Sequence, residues 1–235
     1  MKKLLTIIAL AGAASLSFGQ GIVNFSAGGT AATRISYTTP AGTNAQISGA
    51  SGYYFALFAA PSTVTTVGSL DPTQTTGWGL AAWAAGNAAG VPAGTAVIGT
   101  NTASIGRMTG NPTTDDVAVN GYAGGTSASF VVVGWSANMG VTWAGTVQNE
   151  IDFLLSHGNH ASGTYGATEW VGQSGVATSV LLGSGGLTFP GNIFGANPGQ
   201  VPGFNLGAFT TVPEPSTFAL AGLGAAALLI FRRRK

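Results

Sequence analysis

The chain has 235 residues, of which 45% are hydrophobic and only 6% charged, with 38 glycines, 10 prolines and a formal net charge of +1. Soluble proteins carry about 25% charged residues, so this surface is hydrated by hydroxyls and amides, while the hydrophobic share suffices for a core and excludes global disorder. Cysteine is absent, which excludes disulfides, thiolate metal sites, iron–sulfur clusters and a Cys nucleophile.

Charge position says more than the net value. Lys2, Lys3, Arg232, Arg233, Arg234 and Lys235 sit at the two ends. Between residues 20 and 212 only Arg34 and Arg107 stand against Asp71, Asp115, Asp116, Glu150, Asp152 and Glu169. Binding nucleic acid requires clustered cations that displace counterions from phosphate. A body with an acidic excess and no basic cluster excludes that partner.

The first element in chain order is a secretory signal over residues 1–19. Lys2 and Lys3 precede a thirteen-residue apolar run, 4–16, followed by Ser17, Phe18 and Gly19. The cations stay in the cytoplasm, the run enters the translocon, and small side chains fit the peptidase pockets. Cleavage is expected between Gly19 and Gln20. The apolar run is short for a bilayer span.

Residues 20–212 read as one exported, β-rich domain. Candidate strands cover 22–25, 53–59, 64–67, 104–108, 117–119, 127–135 and 176–182. The runs Tyr53-Tyr54-Phe55-Ala56-Leu57-Phe58 and Phe130-Val131-Val132-Val133 are apolar on both faces, as central strands of a layered structure require. Asp71-Pro72, Asn111-Pro112 and two Pro-Ala-Gly triplets fall between the runs, where turn chemistry belongs. Short strands of this kind predict a mainly β fold, a sandwich or jelly roll. Trp143, Val147, Ile151, Leu154 and Leu155 follow helical spacing and predict a helix over 142–156 that ends at Gly158. A second short helix is expected over 80–89. No internal repeat is evident.

The third element is a C-terminal tail over residues 213–235. Val212 leads into Pro213, Glu214 and Pro215, whose prolines stop an upstream element from running through. A fourteen-residue uncharged run over 218–231 follows, including Phe218, Leu220, Leu223, Leu228, Leu229, Ile230 and Phe231. As a helix it is about 21 Å long, against about 30 Å for a bilayer core. Arg232, Arg233, Arg234 and Lys235 decide the reading: they snorkel to headgroups and hold the chain end in the cytoplasm. The tail is read as a marginal transmembrane helix, with the body outside.

Pro213-Glu214-Pro215, the short apolar helix and the terminal arginines together resemble the PEP-CTERM sorting signal of exported bacterial proteins. That resemblance implies recognition by a membrane-embedded exosortase and cleavage near the tripeptide. It also implies transient inner-membrane anchoring, then delivery to the cell surface or matrix of a Gram-negative-type bacterium, often alongside exopolysaccharide. The body resembles domains that occur with this tail in environmental bacteria. The matching segments are Gly21-Ile22-Val23-Asn24-Phe25, Tyr53-Tyr54-Phe55-Ala56-Leu57-Phe58 and Phe130-Val131-Val132-Val133-Gly134-Trp135-Ser136-Ala137-Asn138. These are packing segments and imply no chemistry.

Residues with chemical potential read as structural. His157 and His160 lack the helical i, i+4 spacing of a zinc pair and belong to a solvated loop. Asp115 and Asp116 lack the alternating acidic series of a calcium loop and form a turn. Glu150, Asp152 and Glu169 are the only carboxylates that suit a glycosidase pair, but Glu150 and Asp152, two apart on a helix, point different ways. No Gly-x-Ser-x-Gly elbow occurs, since Gly172-Gln173-Ser174-Gly175 has the wrong spacing. The glycines at 222 and 224 imitate a dinucleotide fingerprint inside the tail, without a preceding strand. The expected function is therefore that of a non-enzymatic, exported envelope or matrix protein, without metal or cofactor. The alternative is a carbohydrate-binding or adhesive module using exposed members of Trp78, Trp83, Tyr165 and Trp170; a glycosidase or lyase ranks third.

Overall fold

Two apolar runs organise the chain. In the computed structural model, which describes residues 20–38, 43–50, 52–69, 72–87, 89–143, 169–184 and 189–209, they form the longest strands. The first strands are β1 (Gln20–Asn24), β2 (Ser26–Ala27), β3 (Ser36–Thr38), β4 (Asn44–Gln46) and β5 (Tyr53–Pro61). They are followed by β6 (Gly79–Leu80), β7 (Ile98–Asn101), β8 (Met108–Thr109), β9 (Asp116–Ala123) and β10 (Ser127–Ser136). The last four are β11 (Glu169–Gln173), β12 (Ala177–Leu181), β13 (Gly191–Asn192) and β14 (Asn205–Phe209).

β5 and β10 pair antiparallel from Ala128 opposite Pro61 to Ser136 opposite Tyr53. Side chains alternate across a strand, so each strand feeds two cores. Phe55, Leu57, Ala59, Phe130 and Val132 enter one cluster, while Ala56, Phe58, Val131, Val133 and Trp135 enter a second on the opposite face. The second cluster is completed by Trp78, Met139 and Trp143. Burial on both faces is why these segments have no polar alternation.

The large sheet has the strand order β2-β8-β7-β5-β10-β11-β14-β3-β4, with β6 added to β5 and β12 to β10. It curls until its ends meet. In the connection between β7 and β8, the Gly106 carbonyl accepts the Ile35 N–H at 2.9 Å and the Gly106 N–H donates to Ile47 O at 2.7 Å. A smaller sheet, β13-β1-β9, supplies Val23, Val117 and Val119 to the first cluster, so both sheets share one core.

The mainly β expectation stands, and several local expectations are corrected. Within the expected helix over 80–89, the described residues 80–87 are not helical. Gly79–Leu80 pairs with β5, Ala82 bridges Ala96 and Trp83 bridges Val119. A turn follows in which Gly86 has φ +68 and the Asn87 amide donates to Ala84 O and Val91 O. Alanine content favoured a helix, but Gly86 and the Asn87 loop bonds prevail. Residues 64–67 are irregular and only lean Val64 and Val67 on the second cluster. Residues 104–108 are mostly a turn, with Gly106 at φ +72, and β8 begins only at Met108. Single 3₁₀ turns occur at Ala31–Thr33, Pro72–Gln74 and Ala137–Met139. The expected helix over 142–156 lies outside the described residues beyond Trp143, as do the expected signal and tail helices. Trp143 itself is buried, with its ring 4.9 Å from Phe58 and 5.7 Å from Trp135.

Candidate functional site

The sorting residues, Val212 through Lys235, and Gly19 lie outside the described residues. The structure shows how the body is built where the chain enters and where it leaves. Gln20 is exposed and begins β1, opposite Ala123. Ile22 exchanges two backbone hydrogen bonds with Gly183, at 2.9 and 2.7 Å. This entry point adjoins the turn from β9 into β10, because Gly125 N–H donates to Leu182 O and Leu182 N–H to Thr126 O.

The chain leaves through β14, an internal strand. One side pairs antiparallel with β11, Phe209 opposite Glu169 and Val171 opposite Gly207. The other side pairs parallel with β3, Asn205 opposite Ser36 and Leu206 opposite Tyr37. Ser36 Oγ donates to Asn205 Oδ1 at 3.0 Å, and Asn205 Nδ2 donates to Thr38 Oγ1 at 2.6 Å. Leu206 is fully buried in the core. At Gly172 a side-chain carbon would lie 2.4 Å from Asn205 O, so glycine alone lets β11 sit this close to β14.

Three rings cap the curled sheet at this exit end. Tyr37 lies 5.9 Å from Tyr53 and 5.1 Å from Trp170 between ring centroids, and Tyr53 lies 6.3 Å from Trp170. The Trp170 indole donates across β14 to Thr38 O at 2.8 Å. The Tyr53 N–H donates to the buried Asn101 Oδ1 at 2.8 Å, and the Asn101 amide donates to Gly49 O. Burial, assisted by the neighbouring Tyr37, pushes the Tyr53 phenol up to about 12.

A model of a sorting motif matches residues 211–235, two positions beyond the end of β14. It is a PEP-CTERM protein-sorting motif. The PEP-CTERM motif implies an exported protein that is anchored in the membrane and recognised by an exosortase. No curated protein and no solved structure matches the chain.

The other sequence candidates that fall within the described residues do not converge. Trp78 and Trp83 are 7% and 5% exposed and belong to the cores, which removes them as an exposed sugar platform. The Trp78 indole donates to Thr66 O at 2.9 Å. Trp170 is half-buried and Tyr165 lies outside the described residues, as do Glu150, Asp152, His157, His160 and Asp71. Glu169 is buried in the sheet beside the chain exit, so no described carboxylate pair flanks a cleft. Asp115 occupies the expected turn, at φ +59, and accepts an ion pair from Arg107 at 3.0 Å. Asp116 accepts from the Asn24 amide at 3.3 Å, and burial holds its carboxyl above the usual range against that bond. Among the described residues no group of three or more His, Cys, Asp or Glu is placed to hold a metal. Nor is any described helix long and apolar enough to cross a membrane.

Two shallow grooves lie on the described surface. One, of about 370 Å³, is lined by Thr102, Ser104, Arg107, Thr109 and Asp115. The other, of about 390 Å³, runs between β6 and the end of β9, past Trp78, Leu80, Asn120 and Tyr122. Sequence reading missed the exit cluster. Tyr53 sits inside an apolar run and Tyr37 inside a hydroxyl-rich stretch, so neither carries a local signal of the contact.

Proposed function

We propose that this chain is an exported cell-envelope or matrix protein whose sandwich-like β body is non-catalytic and whose address lies in its tail. The single observation that carries the reading is the sorting motif over 211–235, directly after the last body strand. In this reading Val212, Pro213, Glu214 and Pro215 form the segment that the exosortase recognises. The apolar run over 218–231 holds the chain in the inner membrane, and Arg232, Arg233, Arg234 and Lys235 keep its end cytoplasmic. The signal is removed between Gly19 and Gln20, and the body is released to the cell surface or extracellular matrix.

The test is fractionation of cells carrying a protein tagged inside the body and at the C-terminus. Mature surface protein should lose the C-terminal tag, and cells lacking the exosortase should retain both tags in the membrane. A C-terminal tag that persists on surface protein overturns processing.

A second reading, a polysaccharide-contacting module, is supported by the groove beside Tyr122. It sets a half-buried ring next to the exposed Asn120 amide, a combination that suits a sugar face and its hydroxyls. Binding of the mature protein to the host's own exopolysaccharide, weakened by Tyr122→Ala, is the expected result. Equal binding by the variant counts against this groove.

A further inference from the structure

We propose that, while the chain is anchored, the exit end of the curled sheet, capped by Tyr37, Tyr53 and Trp170, rests on the headgroup region of the bilayer. This orientation depends on the sorting reading, because it needs the tail in the membrane. It adds which surface of the body faces the lipid.

The first argument is reach. Eight residues, 210–217, separate Phe209 from the apolar run. Fully extended they span at most about 30 Å, part of which the headgroup layer takes up. The exit end is therefore held next to the lipid. A surface tied on so short a leash meets its partner at high effective concentration, so modest affinity suffices.

The second argument is chemistry. Tyr and Trp have an apolar body and a polar tip, the combination enriched at membrane–water boundaries. Tyr37 and Trp170 are half-buried and pack against each other at the exit end. Just beyond the end of β10, Val141 is 56% exposed and adds apolar surface at the same end. Glu169, opposite Phe209 in the register, is buried away from the surface.

The competing surface lies at the other end. Leu181 and Phe189 are exposed there, and Leu181 pairs with Ser127 at the start of β10. Ten residues of β10 separate it from the exit end, about 30 Å at 3.3 Å per residue. The tether favours the exit end, and the two ends give opposite results in the same experiment.

Anchored protein from cells lacking the exosortase is reconstituted in vesicles of phosphatidylethanolamine and phosphatidylglycerol. Because the chain has no cysteine, single nitroxide labels can be placed at Asn44→Cys and Ser127→Cys. Asn44 is exposed and opposite Thr38 at the exit end, and Ser127 is exposed at the far end. The label at 44 should be severalfold less accessible to a water-soluble nickel chelate than the label at 127. Equal accessibility, or protection at 127, overturns the orientation. A second readout uses brominated lipids, whose quenching of tryptophan fluorescence should fall in Trp170→Phe, since the tail contains no tryptophan. Unchanged quenching in that variant also overturns it. Flotation separates the two readings: protein that floats without protection at 44 refutes the orientation alone. Protein that does not float with the vesicles refutes anchoring, and the orientation with it.

Discussion

The entry and the exit of the body are built differently. β1 begins at Gln20 and lies in the three-stranded sheet, held by β9 and by a two-residue parallel contact with β13. β14 ends at Phe209 and lies inside the large sheet, covered on both edges by β11 and β3. Register through β10 puts the two points at opposite ends of a strand about 30 Å long. The comparison teaches that the two membrane addresses expected from the sequence attach to unequal structures. One attaches to a strand of the small sheet beside a turn, the other to a strand whose loss would split the large sheet.

Substitutions should expose that inequality. Leu206→Ala, in the buried centre of β14, should cost about 2–5 kcal/mol through the cavity it leaves, measured as a lower denaturant midpoint. Gly172→Ala forces β11 away from Asn205 O and should cost about 1–3 kcal/mol, with the chain exit loosening first in hydrogen exchange. Tyr53→Phe tests the exit cluster by pH. The folded phenol titrates at about 12 against an ordinary 10.0. Its contribution is therefore present below pH 10.0 and lost as pH rises towards 12. The variant should flatten the alkaline loss of stability, and an unchanged alkaline slope would refute the assignment. Gln20→Ala, at the exposed entry, should stay within about 0.5 kcal/mol of the parent; a larger loss would erase the contrast between the ends.

How much of this was readable in advance depends on where each strand gets its stability. β5 and β10 announce themselves because burial on both faces demands an unbroken apolar run. β1, β9 and β12 show enough Val, Ile and Ala to stand out between glycines. β14, with Asn205, Leu206, Gly207, Ala208 and Phe209, has no such pattern. Nor have β3 and β4, whose Ser, Thr, Asn and Gln side chains look like loop. These strands exist because neighbours offer them free backbone edges and because Ser36, Thr38 and Asn205 bond to one another across the pair. Trp78 and Trp83 show the reverse limit: tryptophans among small residues qualified as candidate sugar contacts, but the curled sheet holds their volume inside. The sorting tail was the clearest segment, since its order of proline, apolar run and arginine is itself the signal.

The pairing of β3 with β14 has a consequence for export. Ser36 and Asn205 are 169 positions apart and lie side by side, so an early segment waits for almost the last one before the large sheet can close. A chain emerging N-terminus first therefore remains open along that seam until the residues just ahead of the sorting motif have crossed. A prematurely terminated product lacks both the closing strand and the delivery label. Incomplete copies would present bare backbone edges, a target for proteases outside the cytoplasm, and could not be passed on as finished cargo.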